Sequence, residues 1–394
     1  MVKAKSLAIL LILYSFSVSS GETKYITIGS DAVHSSEKES LLGAIFKSNN
    51  PDITVVELDS SNVEKLSHHM HEEFHRCGGF IVHDDLEEAL SYANDDLSKY
   101  YGSKGIFADY SINQFDVVNG MITFVNESYI SAVIKHLSSY HNRYYNALYG
   151  VQSSTWIKDH WAKIIENRSD ANVELYEHSR WMQPSVVLTF EGESDDTIVI
   201  GGHADSISGY FGGGGNKAPG ADDNASGIAT ITEIIRVLVQ TSYRPKKTIK
   251  FMAYAAEEVG LLGSREIARE YLENNIPVVG VMQLDMTNYK GTSDKDIILI
   301  SDNTNAEQNA FLGRLIDEYL KVSWQYDRCG YGCSDHASWN GVGFPASFPF
   351  EARKNDMNRS IHTSNDTIER SRNGASHATG FAKLGLAYLV ELDR

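Results

Sequence analysis

From about residue 120 onward, short apolar runs alternate with longer segments whose apolar residues recur every three or four positions. The runs at 186–190, 197–200, 248–253 and 278–284 predict buried β-strands. The spacing of apolar residues over 228–238 and 311–319 predicts amphipathic helices. This alternation is typical of an α/β fold with a mixed, mainly parallel central sheet and helices on both faces.

The preceding segment has a different pattern. Short apolar runs at 26–28 and 53–56 alternate with acidic, helix-prone stretches, and the periodicity is lost just before a new amphipathic segment begins. We therefore predict a small α+β module over 21–118, followed by the larger α/β domain over 119–394.

The first twenty residues have the composition of a secretory signal. Lys3 and Lys5 precede a mostly apolar run from Leu7 to Val18, and small residues follow it. The run is shorter than the roughly 20 residues that cross a bilayer, which argues against a membrane anchor. We predict that residues 1–20 are removed and that the protein is secreted and extracellular.

The formal net charge of −17 narrows the choice of partners. Such a chain repels phosphate backbones and anionic lipid surfaces. We therefore expect no nucleic-acid partner and no membrane partner, and we expect a monomer.

Three cysteines lie beyond the predicted signal. In an oxidising compartment, Cys329 and Cys333 are close enough in sequence to form a small-loop disulfide, which leaves Cys77 unpaired. A pair of buried free thiols is the alternative. A zinc site built from these cysteines lacks a second Cys or His pair of matching spacing.

Six scattered residues carry the candidate chemistry. They are His203, Asp222, Glu257, Glu258, Asp285 and His362. Four of them follow predicted strands, where ligands gather in open α/β sheets. Two imidazoles and three carboxylates suit two zinc ions, and the remaining carboxylate is placed as a general base. Two divalent cations against three carboxylates and one hydroxide are near neutral, which avoids burying a large net charge.

Each residue taken singly has an ordinary explanation. Asp222 would usually belong to a solvated turn or helix cap, Glu257 and Glu258 to the surface of a helix start, and His362 to surface or core. Only the joint pattern predicts a site for hydrolysis.

The segments around these residues resemble the secreted bacterial two-zinc leucyl aminopeptidases of the zinc-dependent exopeptidase superfamily. The resemblance is carried by residues 201–206, 219–227, 252–260, 283–289, 329–336 and 361–363, and it runs from about residue 126 to the C-terminus. The region before it is similar to the removable propeptide of that family, notably around residues 76–79. The resemblance implies a zymogen whose propeptide acts as an inhibitor or a folding aid.

The resemblance also implies a role for each candidate. Asp222 would bridge the two zinc ions, His203 and Asp285 would serve one, and Glu258 and His362 the other. Asp205 would hold the His203 ring through its free nitrogen. Glu257 would take a proton from the attacking water and hand it to the leaving amine. Cys329 and Cys333 match the family disulfide, and Tyr331 between them matches a residue that lines the substrate site.

The substrate is expected to be a peptide with a free N-terminus. The family's side-chain pocket is apolar, and that character is maintained here by Met286, Ile300, Phe348, Phe350 and Ile361. However, Lys354 and Met357 stand where relatives tend to carry aromatic residues. An apolar N-terminal residue such as Leu is our first choice, and a basic one is second because the acidic chain would attract it.

Three other functions use the same fold. A single-zinc acyltransferase like glutaminyl cyclase does not need the full ligand set that is present here. A dinuclear carboxypeptidase or amidohydrolase would need a cation for the substrate carboxylate, and only Arg353 or Arg359 is nearby in sequence. A binding module without metal would not need Glu257.

Four histidines in the N-terminal module form a separate group: His68, His69, His71 and His75. At helical spacing three of them, His68, His71 and His75, would share a face and could bind a metal. We favour the interpretation as a polar helix face, because nothing in the sequence requires a carboxylate beside these histidines.

Overall fold

The computed structural model describes residues 21–38, 40–74, 76, 78–94, 110–209 and 213–394. The predicted signal sequence at 1–20 lies outside the described residues, as do His75 and Cys77. The described residues form two sheets, one in a small N-terminal unit and one in a larger unit.

The N-terminal unit contains strands β1 (Thr23–Gly29), β2 (Ile45–Phe46), β3 (Ile53–Asp59) and β4 (Phe80–His83), and helices α1 (Ser30–Lys38), α2 (Val63–Phe74) and α3 (Leu86–Ala93). The strands pair antiparallel in the order β2-β3-β1-β4. Successive side chains of a strand point to opposite faces. Ile26 and Ile28 therefore pack with Leu66 of α2, while Val55 packs on the other face with Ala89 of α3.

The larger unit contains strands β5 (Ala171–Tyr176), β6 (Ser185–Phe190), β7 (Ser194–His203), β8 (Lys247–Tyr254), β9 (Val278–Gln283), β10 (Ile297–Ile300), β11 (Trp324–Asp327) and β12 (Ala346–Phe350). They form one sheet in the order β11-β10-β12-β9-β7-β8-β6-β5. Four of the seven neighbouring pairs are parallel, and three are antiparallel. The predicted mixed, mainly parallel sheet after a small α+β module is confirmed.

The helices of the larger unit are α4 (Phe115–Ile122), α5 (Glu127–Leu137), α6 (Leu148–Ile164), α7 (Ala225–Gln240), α8 (Leu262–Glu273), α9 (Ala306–Leu315), α10 (His336–Gly341) and α11 (Ala378–Leu392). They cover both faces of the sheet. Ile198 and Ile200 of β7 belong to the core that includes α7 and α11, whereas Val199 packs on the other face with Ile267 of α8 and Trp339 of α10.

The boundary predicted between residues 118 and 119 falls inside α4. Val118 and Met121 of this helix are buried in the main core of the larger unit. The backbone N–H groups of Asn113 and Gln114 donate to the carboxylate of Glu391 in α11. The packing of the larger unit therefore begins before the predicted boundary. Within the described part of the chain, no single helix is long and apolar enough to cross a membrane, and only the bent pair α4 and α5 passes that test together.

Candidate metal centre

Three adjacent parallel strands bring the predicted residues to one edge of the sheet. His203 is the last residue of β7, Asp285 follows β9 by two residues, and Glu257 and Glu258 follow β8. Because β8, β7 and β9 are neighbours, their carboxyl ends open into the same crevice. The crevice is closed: all four side chains are buried.

The first group of candidate ligands lies entirely within the larger unit. His203 Nε2 is 3.0 Å from Asp223 Oδ1 and 3.4 Å from Asp285 Oδ1. All three side chains are buried, and their ligand atoms lie within 4.8 Å of one another. We call these residues the β7 triad.

The second group takes one residue from the N-terminal unit. His362 Nε2 and His71 Nε2 are each 3.2 Å from Glu258 Oε2, and the two imidazole rings are 4.1 Å apart between centroids. These three residues are also buried and within 4.8 Å of one another through their ligand atoms. We call them the β8 triad. Asp223 links the two triads, because its second oxygen is 2.9 Å from His362 Nε2.

The structure corrects the choice of the linking aspartate. The sequence prediction named Asp222, but the two imidazoles face Asp223. The carboxylate of Asp222 instead accepts hydrogen bonds from Asn358 Nδ2 at 3.1 Å and from the Asn288 N–H at 3.3 Å. Two adjacent acids in an irregular loop cannot be distinguished by spacing, because the path of the loop decides which one points into the crevice.

The path of that loop is fixed by two polar side chains. Asp366 accepts the backbone N–H groups of Asp222 at 3.2 Å and Asp223 at 3.0 Å. Asn224 donates to the Leu284 carbonyl at 3.1 Å and accepts from the Met286 N–H at 3.2 Å, which ties the loop to the end of β9. The peptide bond between Asp223 and Asn224 is cis.

The carboxylate of Asp205 contacts residues of both triads. One of its carboxylate oxygens is 3.4 Å from His203 Nδ1. The same carboxylate accepts the backbone N–H groups of Glu257 and Glu258, each at 3.1 Å. A carboxylate at the far nitrogen of a metal-binding imidazole fixes its ring and tautomer. Asp205 therefore orients a candidate ligand of one triad and the backbone of the other.

A buried arginine that the sequence did not single out supports the same loops. Arg143 donates to the carbonyls of Ala204 at 2.9 Å, Pro219 at 2.6 Å and Gly220 at 2.9 Å. Burial lowers the pKa of Arg143 to about 10, against the opposing effect of the nearby carboxylates. It remains a cation at neutral pH and offsets part of the negative charge of the centre. Only the tertiary structure brings it there.

Glu257 lies beside the triads and has no hydrogen-bond partner among the described residues at either carboxylate oxygen. Burial raises its pKa well above the usual range, although His203 opposes the shift. The residue before it, Ala256, has a φ of 58°, and Met286 and His362 also have left-handed backbones at 52° and 55°. Such strain, on the order of 1–3 kcal/mol per residue, concentrates at functional sites.

The residues present fit a pair of zinc ions. Several of their polar atoms are buried and lack a hydrogen-bond partner in the described part of the chain: His203 Nε2, His362 Nε2, Asp285 Oδ1 and both carboxylate oxygens of Glu258. Imidazole nitrogens and carboxylate oxygens are zinc ligands, and a cation within each triad would satisfy them. Burial disfavours a charged imidazole, yet Glu258 and Asp223 raise the pKa of His362 to about 10. The local field therefore favours a cation.

A buried apolar cluster includes chain neighbours of two candidate ligands, since Met286 follows Asp285 and Ile361 precedes His362, and we call it the apolar pocket. The structure brings all six predicted substrate residues into one buried cluster, together with Ile298, Cys333 and Met357: Met286, Ile300, Tyr331, Phe348, Phe350 and Ile361. The Lys354 amine lies 4.6 Å from the centre of the Tyr331 ring and contacts the Cys329 carbonyl. The sulfur atoms of Cys329 and Cys333 are 2.08 Å apart, the distance of a disulfide bond.

Sequence reasoning missed the position of His71. The preferred interpretation of the N-terminal histidines was a polar helix face, but His71 faces Glu258. His69 instead contacts Ser35 within its own unit, at 3.0 Å. The helical spacing identified a face of α2, but the residue that this face packs against belongs to another part of the chain. No local pattern signals that contact.

Comparison with known proteins places the chain among peptidases. The model of the family described as Peptidase family M28 matches residues 185–387. A probable leucine aminopeptidase of Arthroderma benhamiae is 38% identical over 279 residues, which cover 70% of this chain and 76% of that protein. Leucine aminopeptidase 1 of Arthroderma otae is 38% identical over 297 residues, or 72% of this chain and 79% of its own.

Solved structures share the architecture of both units. The crystal structure of the LapA aminopeptidase of Legionella pneumophila aligns with a TM-score of 0.78 at 29% identity, covering 95% of this chain and 99% of its own. LapB of the same organism aligns with a TM-score of 0.78 at 28% identity, covering 94% and 100%. At this coverage, the likeness extends over the N-terminal unit as well as the larger one.

Proposed function

The chain belongs to peptidase family M28, and from this premise we propose that it is a secreted aminopeptidase that uses two zinc ions. The observation that carries the proposal is Asp223, whose two oxygens face the imidazoles of two buried triads. His203 and Asp285 would hold one ion, Glu258 and His362 the other, and Asp223 would bind both. This differs from the sequence prediction only in the linking aspartate.

The reaction is hydrolysis of the peptide bond after the N-terminal residue. When bound, the zinc ions polarise the scissile carbonyl and lower the pKa of a bound water from about 15.7 toward 7. Glu257 accepts a proton from the attacking water and donates it to the leaving amine. Asp205 accepts the backbone N–H of Glu257, which holds this part of the chain beside the triads.

The apolar pocket supports a preference for an apolar N-terminal residue such as Leu. The cluster around Tyr331 and Phe348 is buried and offers a hydrophobic surface to a substrate side chain. A basic side chain would meet Lys354 at the edge of the same cluster. We therefore place a basic N-terminal residue second, in spite of the negative charge of the chain.

Secretion and processing complete the proposal. The N-terminal sequence from Lys3 to Ser20 supports export, and Cys329 and Cys333 then form a disulfide in an oxidising compartment. The N-terminal unit would act as a propeptide that covers the centre until it is removed. Its contacts support a cover: Ser67 Oγ donates to the Glu258 carbonyl at 2.5 Å, and Tyr145 donates to Glu64 at 2.5 Å.

The decisive variant is Glu257→Gln. We expect a loss of about 100- to 10,000-fold in kcat on leucyl nitroanilide, the usual contribution of a general base, with two zinc ions per chain retained. The matched control is Glu307→Gln, which makes the same change at an exposed position of α9. Survival of activity, or loss of zinc, would show that Glu257 is not the base.

Metal content separates this proposal from a single-zinc acyltransferase. Two triads predict close to two zinc ions per purified chain, whereas a cyclase-like enzyme would carry one. Release rates from a panel of aminoacyl nitroanilides test the specificity. A flat profile across apolar, basic and acidic residues would contradict the role given to the apolar pocket.

A further inference from the structure

His71 is the one member of the two triads that comes from the N-terminal unit. Its side chain is buried, and it reaches Glu258 from a point in sequence far from the rest of the centre. His71 Nδ1 is 3.5 Å from Ser67 Oγ, whose own proton is donated to the Glu258 carbonyl, so Nδ1 carries the ring proton and Nε2 carries the lone pair. The Gly78 N–H lies 3.3 Å from Nε2, and a metal ion on that lone pair would replace this contact. The same nitrogen is 3.2 Å from a Glu258 oxygen, which is also an acceptor.

Two acceptors at this separation repel each other unless a cation lies between them. The distances suit one: bonds of about 2.0–2.1 Å in a tetrahedral zinc shell place neighbouring ligand atoms roughly 3.3 Å apart. His71 and His362 are each 3.2 Å from the Glu258 oxygen, and His362 is 2.9 Å from Asp223. His71 therefore belongs to a group of three ligand atoms within 4.8 Å of one another, and Asp223 is next to the His362 member of that group.

We propose that His71 is a ligand of the zinc ion held by Glu258 and His362 in the unprocessed chain, and that it occupies the coordination position that the substrate needs. This rests on the proposed two-zinc aminopeptidase. A catalytic zinc site keeps one position open, whereas a structural site is closed by protein ligands. The N-terminal unit thus converts a catalytic site into a closed one, and its departure reopens it.

Two further contacts of the N-terminal unit fall on the other parts of the substrate site. A Cβ atom at Gly78 would lie 3.3 Å from the Glu257 carbonyl oxygen, so this glycine packs directly on the turn that carries the proposed base. The Arg76 guanidinium lies 4.9 Å from the centre of the Tyr331 ring, and Asp31 holds it at 3.1 and 2.5 Å. Metal, base and pocket are covered by one short stretch of chain.

The test uses the full-length chain loaded with two zinc ions. In His71→Gln, we expect one of the two ions to pass to a chromogenic chelator at least about tenfold faster than in the wild type, and the other at an unchanged rate. After replacement with Co2+, the visible absorption of the bound ions should change in the same variant. His68→Gln is the matched control, because it changes the same residue type one turn earlier in α2.

Equal zinc release from His71→Gln and the wild type would overturn the proposal, and so would faster release of both ions. If the variant does not fold, the test is instead to measure amide hydrogen exchange in helix α2 of the wild-type protein. Removal of zinc should then increase exchange over Val63–Phe74, and unchanged protection would count against a metal contact.

These readouts do not depend on peptide hydrolysis. A chain that shows the His71 effect but cleaves no aminoacyl substrate would contradict the aminopeptidase and leave the ligand in place. A chain that cleaves such substrates but releases zinc identically in both forms would contradict the ligand alone.

Discussion

The two triads of the centre are built in different ways. The β7 triad comes from one continuous part of the larger unit, where His203 and Asp285 stand at the ends of neighbouring parallel strands. The β8 triad joins Glu258 to His362 near the end of the chain and to His71 in the N-terminal unit. The β7 triad is formed by the sheet of the larger unit, whereas the β8 triad depends on how the two units pack together.

The two triads would therefore respond differently to removal of the N-terminal unit. If the N-terminal unit is removed as we propose, every residue of the β7 triad stays, whereas the β8 triad loses His71. Ser67 of α2 and the Glu258 carbonyl that it contacts are 191 residues apart in sequence. The centre can therefore be complete in the larger unit and still be closed by the smaller one.

The largest effect is expected from the residue that the two triads share. Asp223→Asn removes a carboxylate that faces both His203 and His362, so we expect loss of zinc and a fall in kcat of about 1,000-fold or more, equivalent to about 4 kcal/mol. Asp222→Asn is the matched control and should retain two zinc ions with less than about a tenfold change. Zinc analysis and leucyl nitroanilide assays measure both, and the reverse ranking would restore Asp222 as the linking residue.

Removal of the N-terminal unit should open the β8 triad and leave the residues of the β7 triad in place. Proteolytic cleavage of the folded chain before residue 110 should raise aminopeptidase activity by at least about 100-fold, which corresponds to a closed state favoured by about 2.7 kcal/mol. Glu257→Gln treated in the same way is the control and should gain no activity. An unchanged wild-type rate after complete cleavage would argue against a cover.

Asp205→Asn tests how far the two triads depend on one support. An asparagine cannot accept the Glu257 and Glu258 N–H groups and orient His203 at the same time, so we expect zinc affinity to fall about 10- to 100-fold. Equilibrium competition with a chelator measures the change. Asp195→Asn, at an exposed position of β7, should leave the affinity unchanged. An equal affinity in both variants would remove Asp205 from the support of the centre.

The smallest effect concerns specificity. Burial lowers the pKa of Lys354 to about 8, so at pH 7 it is mostly a cation that opposes a basic substrate side chain. Lys354→Met in the processed enzyme should raise the rate ratio of lysyl to leucyl nitroanilide by about three- to fivefold, close to 1 kcal/mol.

Lys135→Met is the control for that experiment, since it removes a lysine at an exposed position of α5. A ratio that moves equally in both variants would mean that overall charge, and not the pocket, sets the preference.

Much of the larger unit could be predicted because its periodicity is strong. The apolar runs at β7, β8 and β9 identified the strands whose ends carry His203, Glu257 and Asp285, and a parallel sheet brings those ends together. The boundary was predicted between residues 118 and 119, and α4, which begins at Phe115, packs in the main core. Its amphipathic pattern is too short to show which core it joins.

The errors at the centre have a common physical origin. Asp222 and Asp223 are equivalent in sequence. The backbone N–H of Asp223 donates to Asp366 and the Asn224 amide donates to the Leu284 carbonyl, and these bonds decide which aspartate faces the imidazoles. Arg143 was missed because an isolated arginine has no pattern, although it donates to three backbone carbonyls of the site. In each case the deciding partner lies far along the chain.

The sequence by itself determined the main strands of the larger unit and the types of its candidate zinc ligands, because hydrophobic period and strand ends are local properties. Only the tertiary structure decided which of Asp222 and Asp223 faces the imidazoles, which apolar residues form the pocket, and that His71 lies beside Glu258. These depend on which surfaces meet when the two units pack, and burial of Ser67 against Glu258 is a contact that no local pattern encodes.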